Sequence, residues 1–356
     1  MVQKSSLLRT SKTAAPIRVL IVDDSAVARA ALSRMVCDAP EFEIVAALDG
    51  ARRAIDWLVG NSVDIVLLDI QMPGLDGLEA LPKLVEASGG ARILVVSTMA
   101  GDGARATIQA LALGAADTLA KPDIGALGRQ FGDVLIDKML RLGKARPAAI
   151  SESREPQLLR IVAETRVACL AIGASTGGLH ALAAFFAALP PMFDAPILVT
   201  QHLPPVFMSF FSEQLSALSG RSARIAQDGE TVKRGDILVA PGDRHLSVTR
   251  RGRKACVALL DHAAVSRCCP SVDPMFSGVA DVYGGSAMAV VLTGMGRDGE
   301  IGAGAIAAAG GTIIVQDAIS SAVWGMPGTV ARAGLASLIA KPAALATYVA
   351  QRGVAR

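Results

Sequence analysis

The sequence lacks three features that would each assign it to a particular class of protein. Its apolar runs are all interrupted well short of the roughly 20 residues that span a bilayer, which argues against a transmembrane helix. The first 16 residues are basic and polar without an apolar core, so no secretory signal is expected. Charge is balanced as well, because 35 basic and 32 acidic residues leave a net charge of +3. We therefore expect a cytoplasmic chain with no direct membrane insertion and no nucleic-acid partner.

Cysteine is also scarce, and the five that occur show no CxxC spacing: Cys37, Cys169, Cys256, Cys268 and Cys269. An odd number without that spacing does not favour a disulfide framework. We interpret them as reduced thiols of a cytoplasmic protein. The adjacent Cys268 and Cys269 leave redox sensitivity open as an alternative.

Apolar residues, in contrast, make up 52% of the 356 residues. This content and length predict two domains, each with its own packed core. From Ile17 onward, apolar runs alternate five times with amphipathic segments, a pattern typical of a parallel sheet flanked by helices. The five predicted strands are 17–22, 42–48, 63–68, 92–97 and 115–120.

Acidic side chains follow two of these strands at the point where each strand ends. Asp23 and Asp24 come after the first strand, and Asp69 comes after the third. Ligands of open parallel sheets bind beyond the carboxyl ends of the strands, so we expect the three carboxylates to converge. A single aspartate there is often only a helix cap. Three that repel one another predict a magnesium site or a phosphoryl acceptor.

Two further polar residues close the remaining strands of this half. Ser97 ends the fourth strand, and Lys121, followed by Pro122, comes after the fifth. They add a hydroxyl group and an ammonium group to the same edge of the sheet. An ammonium group at that edge can stabilise a phosphorylated carboxylate.

These residues resemble the phosphorylation site of the receiver domain of two-component response regulators. The motif comprises Asp23, Asp24, Asp69 with the following Met-Pro-Gly-Leu-Asp-Gly, Ser97 and Lys121-Pro122. The resemblance covers about residues 17–140 and implies a (βα)5 domain in which Asp69 accepts a phosphoryl group from a histidine kinase. It also implies these supporting roles: Mg2+ held by Asp24, Asp69 and the backbone of Gln71, with assistance from Asp23, a phosphate sensor in Ser97 and a phosphate contact in Lys121.

One position departs from the receiver pattern. Three residues before Lys121 that family usually carries an aromatic residue that changes orientation, whereas this sequence has Thr118. The departure puts the aromatic switch in doubt but leaves phosphoryl transfer unaffected.

The second half is organised around a serine that lies between glycines. The apolar run 167–172 predicts a buried strand that enters the turn Gly-Ala-Ser175-Thr-Gly, and 178–189 predicts a helix. The turn fits the nucleophile-elbow pattern, in which the serine lies at a helix N-terminus whose amides can hold an oxyanion. A plain turn or a phosphate cradle is the alternative, although the lysine of a P-loop is absent.

Two more chemically active residues follow predicted strands. His202 comes directly after the strand 195–201, and Asp298 follows the strand 287–292. With Ser175 they can form a triad at one sheet edge, where the histidine takes the serine proton and the aspartate orients the imidazole. The chain order Ser, His, Asp differs from the Ser, Asp, His order of α/β-hydrolases, which argues against that fold.

The other histidines and a second aspartate are weaker candidates. His180 lies five residues along the helix and is expected to point away from the serine turn. His245 lies in a predicted hairpin region, 236–260, and is interpreted as structural or as a substrate contact, while His262 is expected in an exposed turn. Asp273 lies on a predicted helix, where capping or solvation explains it.

The motifs of this half resemble the catalytic domain of the CheB family of chemotaxis protein-glutamate methylesterases. They are GASTGG, QHLPP, VAPGDRH, PSVDPMF and TGMGRDG, followed by VQD and GMP. The resemblance spans about residues 166–356 and fits a doubly wound, mostly parallel α/β domain with an antiparallel hairpin region. It implies Ser175 as the nucleophile, His202 as general base and acid, and Asp298 as the residue that orients His202.

The family resemblance also implies a substrate and partners. These are glutamate methyl esters on chemoreceptors, with glutamine deamidation at the same sites as a second activity. Ser175 would attack the ester carbonyl, methanol would leave, and water would hydrolyse the acyl-enzyme. The Thr176 amide is the expected first oxyanion donor, with the Met295 loop as a second. We expect no cofactor for this step, so the only cofactor predicted is the Mg2+ of the phosphorylation site.

A linker is predicted between the two halves, because 141–165 contains prolines, serines and interleaved charges with little apolar periodicity. The predicted domains are therefore a receiver at 17–140, a linker at 141–165 and a catalytic domain at 166–356. We hypothesise that the unphosphorylated receiver covers the serine edge until phosphorylation weakens the contact. The alternatives are a signalling adaptor with an esterase-like binding module and the same chemistry in a non-swimming chemosensory pathway.

Overall fold

The computed structural model describes residues 15–97, 102–121, 129–144, 159–162 and 165–353. Within these ranges the chain forms two all-parallel sheets flanked by helices and one small antiparallel pair of strands. The fold class indicated by the sequence is therefore confirmed. Pro122 and most of the predicted linker lie outside the described residues.

The N-terminal unit alternates five strands with five helices. Its strands are β1 (Ile17–Val22), β2 (Phe42–Leu48), β3 (Ile65–Leu68), β4 (Arg92–Ser97) and β5 (Asp117–Ala120). Its helices are α1 (Ala26–Cys37), α2 (Ala51–Leu58), α3 (Gly77–Ala87), α4 (Asp102–Ala112) and α5 (Arg129–Lys144). The strands pair in the order β2-β1-β3-β4-β5. Because connections leave in opposite directions from β1 and β3, a crevice opens beyond the carboxyl ends of these two strands.

Helix caps and one glycine fix the loops beyond that edge. The Ser25 hydroxyl accepts a hydrogen bond from the Ala28 amide (3.3 Å) and starts α1. The Asp76 carboxylate accepts one from the Glu79 amide (2.8 Å) and starts α3. Any side chain at Gly77 would overlap the carbonyl oxygen of Asp69. The loop after β3 can therefore fold back against Asp69 only with glycine at this position.

The C-terminal unit contains nine strands and six α-helices within the described residues. Its strands are β6 (Cys169–Ala174), β7 (Ile197–Gln201), β8 (Ala223–Ile225), β9 (Ile237–Val239), β10 (His245–Arg251), β11 (Lys254–Leu260), β12 (Ala287–Val291), β13 (Thr312–Gln316) and β14 (Leu338–Ala340). Its helices are α6 (Gly178–Ala188), α7 (Pro205–Ser219), α8 (Val272–Tyr283), α9 (Glu300–Ala308), α10 (Met326–Arg332) and α11 (Pro342–Gly353).

Seven of these strands form one parallel sheet in the order β14-β13-β12-β6-β7-β9-β8. The central strand β6 is buried along its whole length, as expected for a strand covered by helices on both faces. It lies between β7 and β12, so the order of the sheet reverses beside it. The segments that follow β6, β7 and β12 therefore meet at one edge.

The predicted hairpin region, 236–260, is only partly a hairpin. β10 and β11 pair antiparallel and form a separate two-stranded sheet, as predicted. β9, in contrast, lies in the main sheet and pairs in parallel with β7 and β8. Its three residues are fully buried, and a run this short carries no alternation that would distinguish a central strand from a hairpin strand.

The two units pack against each other through α4, which contacts α6 and α7. Leu111 on α4 belongs to the same buried apolar cluster as Leu179 on α6. At the rim of this interface Arg105 forms an ion pair with Glu213 (2.7 Å) and stacks over the ring of Phe210. Apolar packing and rim charges together hold the first unit over the carboxyl edge of the second sheet.

The chain between the units is anchored at both ends of its described part. α5 continues to Lys144, so the first four residues of the predicted linker are helical. Arg160 donates from its backbone to the Ala336 carbonyl and from its guanidinium to the carbonyls of Ala307 and Gly311. Residues 159–162 therefore lie against the C-terminal unit. Among the described residues, no helix has the length and apolar character needed to cross a membrane.

Candidate active site

Ser175 lies in the turn between β6 and α6, and its backbone is held from three sides. Its amide donates to the carbonyl of Thr293 (3.0 Å), and its carbonyl accepts hydrogen bonds from the Gly178 amide (2.8 Å) and the Gln201 side chain (2.9 Å). The hydroxyl makes no hydrogen bond within the described residues, and Ser175 is one of the residues that line a cleft. The turn therefore presents a hydroxyl group on a rigid backbone.

Two glycines allow the chain to pack this closely around the serine. Gly177 has φ of +75°, and a side chain there would also approach Ala322 to 2.5 Å. A side chain on Gly294 would come within 2.8 Å of the Cβ atom of Ser175. Glycine is therefore required on both sides of the serine, once for conformation and once for space.

His202 and Asp298 meet beside the serine turn. The imidazole Nε2 lies 2.7 Å from Oδ2 of Asp298, and the His202 amide donates to the Ala174 carbonyl (3.1 Å), which ties His202 to the residue before Ser175. Because Nε2 faces the carboxylate, Nδ1 is the other ring nitrogen of His202 and the one that can exchange a proton with a group in the cleft. His202 and Ser175 line the same cleft.

The carboxylate of Asp298 is almost completely buried and fully hydrogen-bonded. Besides His202, it accepts hydrogen bonds from the Ser271 hydroxyl (2.6 Å) and from the Val272 amide at the start of α8 (2.7 Å). Burial alone would raise the pKa of this carboxyl, but these three donors hold it well below its usual range. Asp298 is therefore a fixed negative charge.

The pKa of His202 is displaced in the opposite direction. Burial alone would lower it, but the hydrogen bond to Asp298 and the neighbouring Cys268 thiol raise it to about 9. The raised pKa means that the Asp298 carboxylate stabilises the imidazolium form of His202, which is the form that follows proton transfer from a hydroxyl group.

The cleft has a volume of about 390 Å³ and is lined by both units. The C-terminal unit contributes Ser175, His202 and Cys268, and the N-terminal unit contributes Asp117 and Lys138. The last two form an ion pair at 2.8 Å. The first unit therefore forms one wall of the cleft.

Thr176 and Met295 also line this cleft, and both contact the N-terminal unit. The Thr176 hydroxyl donates to the carboxylate of Asp117 (3.4 Å), and the Met295 sulfur lies 3.1 Å from the Arg141 guanidinium. In addition, the Gly177 amide at the start of α6 donates to the carbonyl of Ala116 (2.7 Å). A carbonyl oxygen of the N-terminal unit therefore accepts a hydrogen bond from an amide of the serine turn.

A second cluster of polar residues lies at the carboxyl edge of the first sheet. Carboxylate oxygens of Asp23, Asp24 and Asp69 all lie within 4.8 Å of one another. Lys121 bridges two of them, with Nζ 2.8 Å from Asp23 and 2.6 Å from Asp69. An all-oxygen set of this kind suits Mg2+, so the residues present fit that ion.

The charges in this cluster alter one another. Burial raises the pKa of Asp69 despite the opposing ion pair with Lys121. Burial alone would lower the pKa of Lys121, but its two carboxylate partners raise it, so the ammonium group stays charged. The charged ammonium group of Lys121 therefore holds one carboxylate oxygen of Asp69 in place.

The remaining residues predicted for this cluster have different surroundings. The Gln71 amide donates to Oδ1 of Asp69 at 3.3 Å. Ser97 is buried, and its hydroxyl has no hydrogen-bond partner among the described residues. A buried hydroxyl group without a hydrogen-bond partner destabilises the fold. The Ser97 hydroxyl can therefore gain from donating a hydrogen bond to an oxygen atom of a ligand. Thr118 lies on β5, paired with Val95.

Comparison with known proteins gives matches to both units. The profile of the CheB methylesterase family matches residues 170–349, and that of the response regulator receiver domain matches residues 19–128. Protein-glutamate methylesterase/protein-glutamine glutaminase 2 of Caulobacter vibrioides is 43% identical over 343 residues, which cover 94% of this chain and 99% of the relative.

The chain belongs to the CheB methylesterase family. A relative from Nitrobacter hamburgensis, named protein-glutamate methylesterase/protein-glutamine glutaminase, is 39% identical and covers 91% of each chain. Among solved structures, the CheB methylesterase catalytic domain of Thermotoga maritima is 34% identical. It matches 52% of this chain and 98% of that domain with a TM-score of 0.51.

Among the weaker candidates, His245 is structural. It is buried, with Nδ1 accepting a hydrogen bond from the Ser271 amide (2.9 Å) and Nε2 lying 2.7 Å from the His262 carbonyl. His180 contacts the Ala112 carbonyl (3.1 Å) and therefore lies at the interface between the units.

Of the two explanations predicted for Asp273, capping or solvation, the structure excludes solvation. Its carboxylate is buried between α8 and α9 and accepts a hydrogen bond from the Gly302 amide (2.8 Å). Burial raises its pKa to about 6. Gly302 permits this close packing, because a side chain there would approach the Asp273 backbone to 2.7 Å.

Sequence reasoning missed three residues that support the serine turn and the acid. Ser271 and Gln201 donate to Asp298 and to the Ser175 carbonyl, and Thr293 accepts from the Ser175 amide. Ser271 lies in the PSVDPMF motif and Thr293 opens TGMGRDG, so the motifs contained the signal. Their partners are distant in the chain and could not be assigned from spacing.

Proposed function

We propose that this chain is a phosphorylation-activated serine hydrolase that demethylates glutamate methyl esters on chemoreceptors and deamidates glutamines at the same sites. The observation that supports the proposal is that Ser175 and His202 line one cleft, with His202 hydrogen-bonded to the buried carboxylate of Asp298. The names of the relatives supply the substrate class. An adaptor function is not favoured, because binding alone gives no reason for this arrangement.

In the first step, Ser175 attacks the ester carbonyl while Nδ1 of His202 takes the hydroxyl proton. Asp298 stabilises the imidazolium through Nε2, and its own position is fixed by Ser271 and Val272. His202 then gives the proton to the leaving methoxide, and methanol departs. In the second step, water takes the place of the serine hydroxyl and restores glutamate.

The developing oxyanion requires donors at the N-terminus of α6. The Thr176 amide is the first candidate, and the Met295 loop is the second. Support comes from the location of both residues in the cleft that Ser175 lines. Loss of one such donor typically lowers the rate by about a hundredfold to a thousandfold.

Regulation would begin at Asp69, which we propose as the acceptor of a phosphoryl group from a histidine kinase. Asp24, Asp69 and the Gln71 backbone would hold Mg2+ with assistance from Asp23, and the ion would neutralise charge on the phosphoryl oxygens. Lys121 would contact the phosphate, because its ammonium group already lies 2.6 Å from Asp69. The Ser97 hydroxyl, which has no partner among the described residues, would donate a hydrogen bond to a phosphoryl oxygen.

Inhibition before phosphorylation, which we propose, would have its physical cause at the interface. The Ala116 carbonyl accepts a hydrogen bond from the Gly177 amide, and the Asp117 carboxylate accepts one from the Thr176 hydroxyl. Both receiver residues flank the start of β5, whose far end leads to Lys121. We therefore propose that changes around Asp69 move β5 and α4 and release the serine turn.

Methanol release from membranes that carry methylated chemoreceptors tests this proposal. The full-length chain is assayed with Mg2+, with and without a small phosphodonor. We expect release to rise by about fivefold to a hundredfold with the donor, the range of typical coupling between two sites. No release under either condition would favour a binding module over an enzyme.

A charge swap at the interface tests the inhibitory contact. Arg105→Glu would place a carboxylate beside Glu213, and we expect it to raise methanol release without the donor by about twofold to fivefold, because exposed ion pairs contribute little. Glu213→Arg should act in the same direction, and the double swap should restore low activity.

The matched control for the swap is Arg53→Glu. Arg53 forms an exposed ion pair with Asp49 within the first unit, away from the interface. Its replacement should leave release unchanged. Equal activity in the swaps, the control and the unmodified chain would exclude this ion pair from the regulation.

A further inference from the structure

Among the described residues, side chains that could bind a metal ion come together at two places. The first is the all-oxygen cluster of Asp23, Asp24 and Asp69. The second lies in the serine cleft, where an imidazole nitrogen of His202, the sulfur of Cys268 and a carboxylate oxygen of Asp298 all lie within 4.8 Å of one another. The proposed hydrolase mechanism uses the side chains of His202 and Asp298, and the thiol enters it only as a neighbour that raises the pKa of His202.

The chemistry of the second set differs from that of the first. Nitrogen, sulfur and oxygen donors together suit zinc, which accepts imidazole, thiolate and carboxylate ligands in one tetrahedral site. Mg2+ does not compete for such a set, because it prefers oxygen ligands. The two places in this chain therefore select different metals.

The three donors need little rearrangement to share one ion. Zinc bonds of about 2.0 to 2.3 Å imply ligand atoms about 3.3 to 3.7 Å apart. The imidazole Nε2 and the carboxylate oxygen now lie 2.7 Å apart and would separate slightly as the ion replaced the proton between them. The cleft is open beside Cys268 and Ser175, which leaves space for a fourth ligand.

The backbone of Cys268 is held by the network that fixes the carboxylate, and its thiol donates to the Ser266 carbonyl (3.8 Å). The Cys268 amide donates to the Ser266 hydroxyl (3.3 Å), which donates to the Ser271 hydroxyl (3.2 Å). Ser271 in turn donates to Asp298 (2.6 Å). Hydrogen bonds of this kind orient metal ligands and strengthen binding. Cys268 and Asp298 therefore belong to one hydrogen-bonded unit.

We propose that His202, Cys268 and Asp298 form a zinc site and that zinc bound there inhibits the esterase. The ion would occupy the imidazole and the carboxylate that activation of Ser175 requires. The inhibition rests on the function proposed above, whereas the binding of metal does not. Cys268 is the residue that turns a catalytic pair into a metal site.

Metal binding is tested on the full-length chain with Co2+ as a spectroscopic substitute for zinc. We expect a cobalt-thiolate charge-transfer band in the unmodified chain that zinc removes by displacement. The band should be lost in Cys268→Ser and retained in Cys269→Ser, the matched control with a neighbouring exposed thiol. A band that is absent from the unmodified chain, or that survives Cys268→Ser, overturns the site whether or not the chain is an esterase.

Inhibition is tested by methanol release with Mg2+ held constant and zinc varied. Zinc should inhibit the unmodified chain and Cys269→Ser alike, and a chelator added with excess Mg2+ should restore activity. In Cys268→Ser we expect inhibition, measured relative to that variant's own release without zinc, to need at least about tenfold more zinc. Equal zinc sensitivity in both cysteine variants would overturn the inhibitory role.

Discussion

Ser175→Ala is expected to lower methanol release by about 10⁴-fold to 10⁶-fold, the loss seen when a triad nucleophile is removed. The fold should survive, because the Ser175 hydroxyl makes no hydrogen bond within the described residues. The backbone bonds to Thr293, Gly178 and Gln201 do not involve the side chain. Methanol release per mole of folded protein, with far-ultraviolet circular dichroism as the folding check, measures the effect.

Ser266→Ala provides the matched control for this variant. Ser266 lines the same cleft, and the substitution removes the same hydroxyl group. Its hydrogen bonds join Ser271 and Cys268 and do not reach His202. We expect a loss of less than about tenfold, from weaker support of Asp298. If Ser175→Ala retained activity within that range, the nucleophile would have to be another residue.

The positions of the candidate residues were predictable because they depend on local rules. Apolar runs located the central strands, and polar residues directly after them had to meet at the carboxyl edge of a parallel sheet. Asp23 and Asp69 meet in this way at one edge, and His202 and Asp298 at the other. These predictions required only the period of the strands and the direction in which they run.

Other features could not be predicted because their partners are distant in the chain. The bond between the Gly177 amide and the Ala116 carbonyl joins two units whose packing no motif records. Capping or solvation was expected to explain Asp273, but α9 covers its carboxylate, and that contact depends on the absence of a side chain at Gly302. Long-range packing decided both the hydrogen bond between the units and the burial of Asp273, and sequence spacing carries no information about such packing.

The second large effect is expected at the predicted phosphorylation site. Asp69→Asn should abolish magnesium-dependent, acid-labile labelling by a small phosphodonor. An amide lacks the negatively charged oxygen that would attack phosphorus, although it preserves the size of the side chain. The rise in methanol release on addition of the donor should disappear in the same variant, while basal release remains.

Asp76→Asn is the matched control, because Asp76 lies in the same loop region and caps α3. Asparagine and aspartate are equally good caps, so the fold and the labelling should both be retained. Labelling that persists in Asp69→Asn would move the acceptor to another residue. If Asp69→Asn lost the labelling but kept the donor-dependent rise in methanol release, the esterase would not be controlled by Asp69. The contact of Ala116 and Asp117 with the serine turn would then not depend on phosphorylation of Asp69. If Asp69→Asn loses both the labelling and the donor-dependent rise in methanol release, then phosphorylation at the acidic edge of the first sheet controls activity at the serine edge of the second sheet.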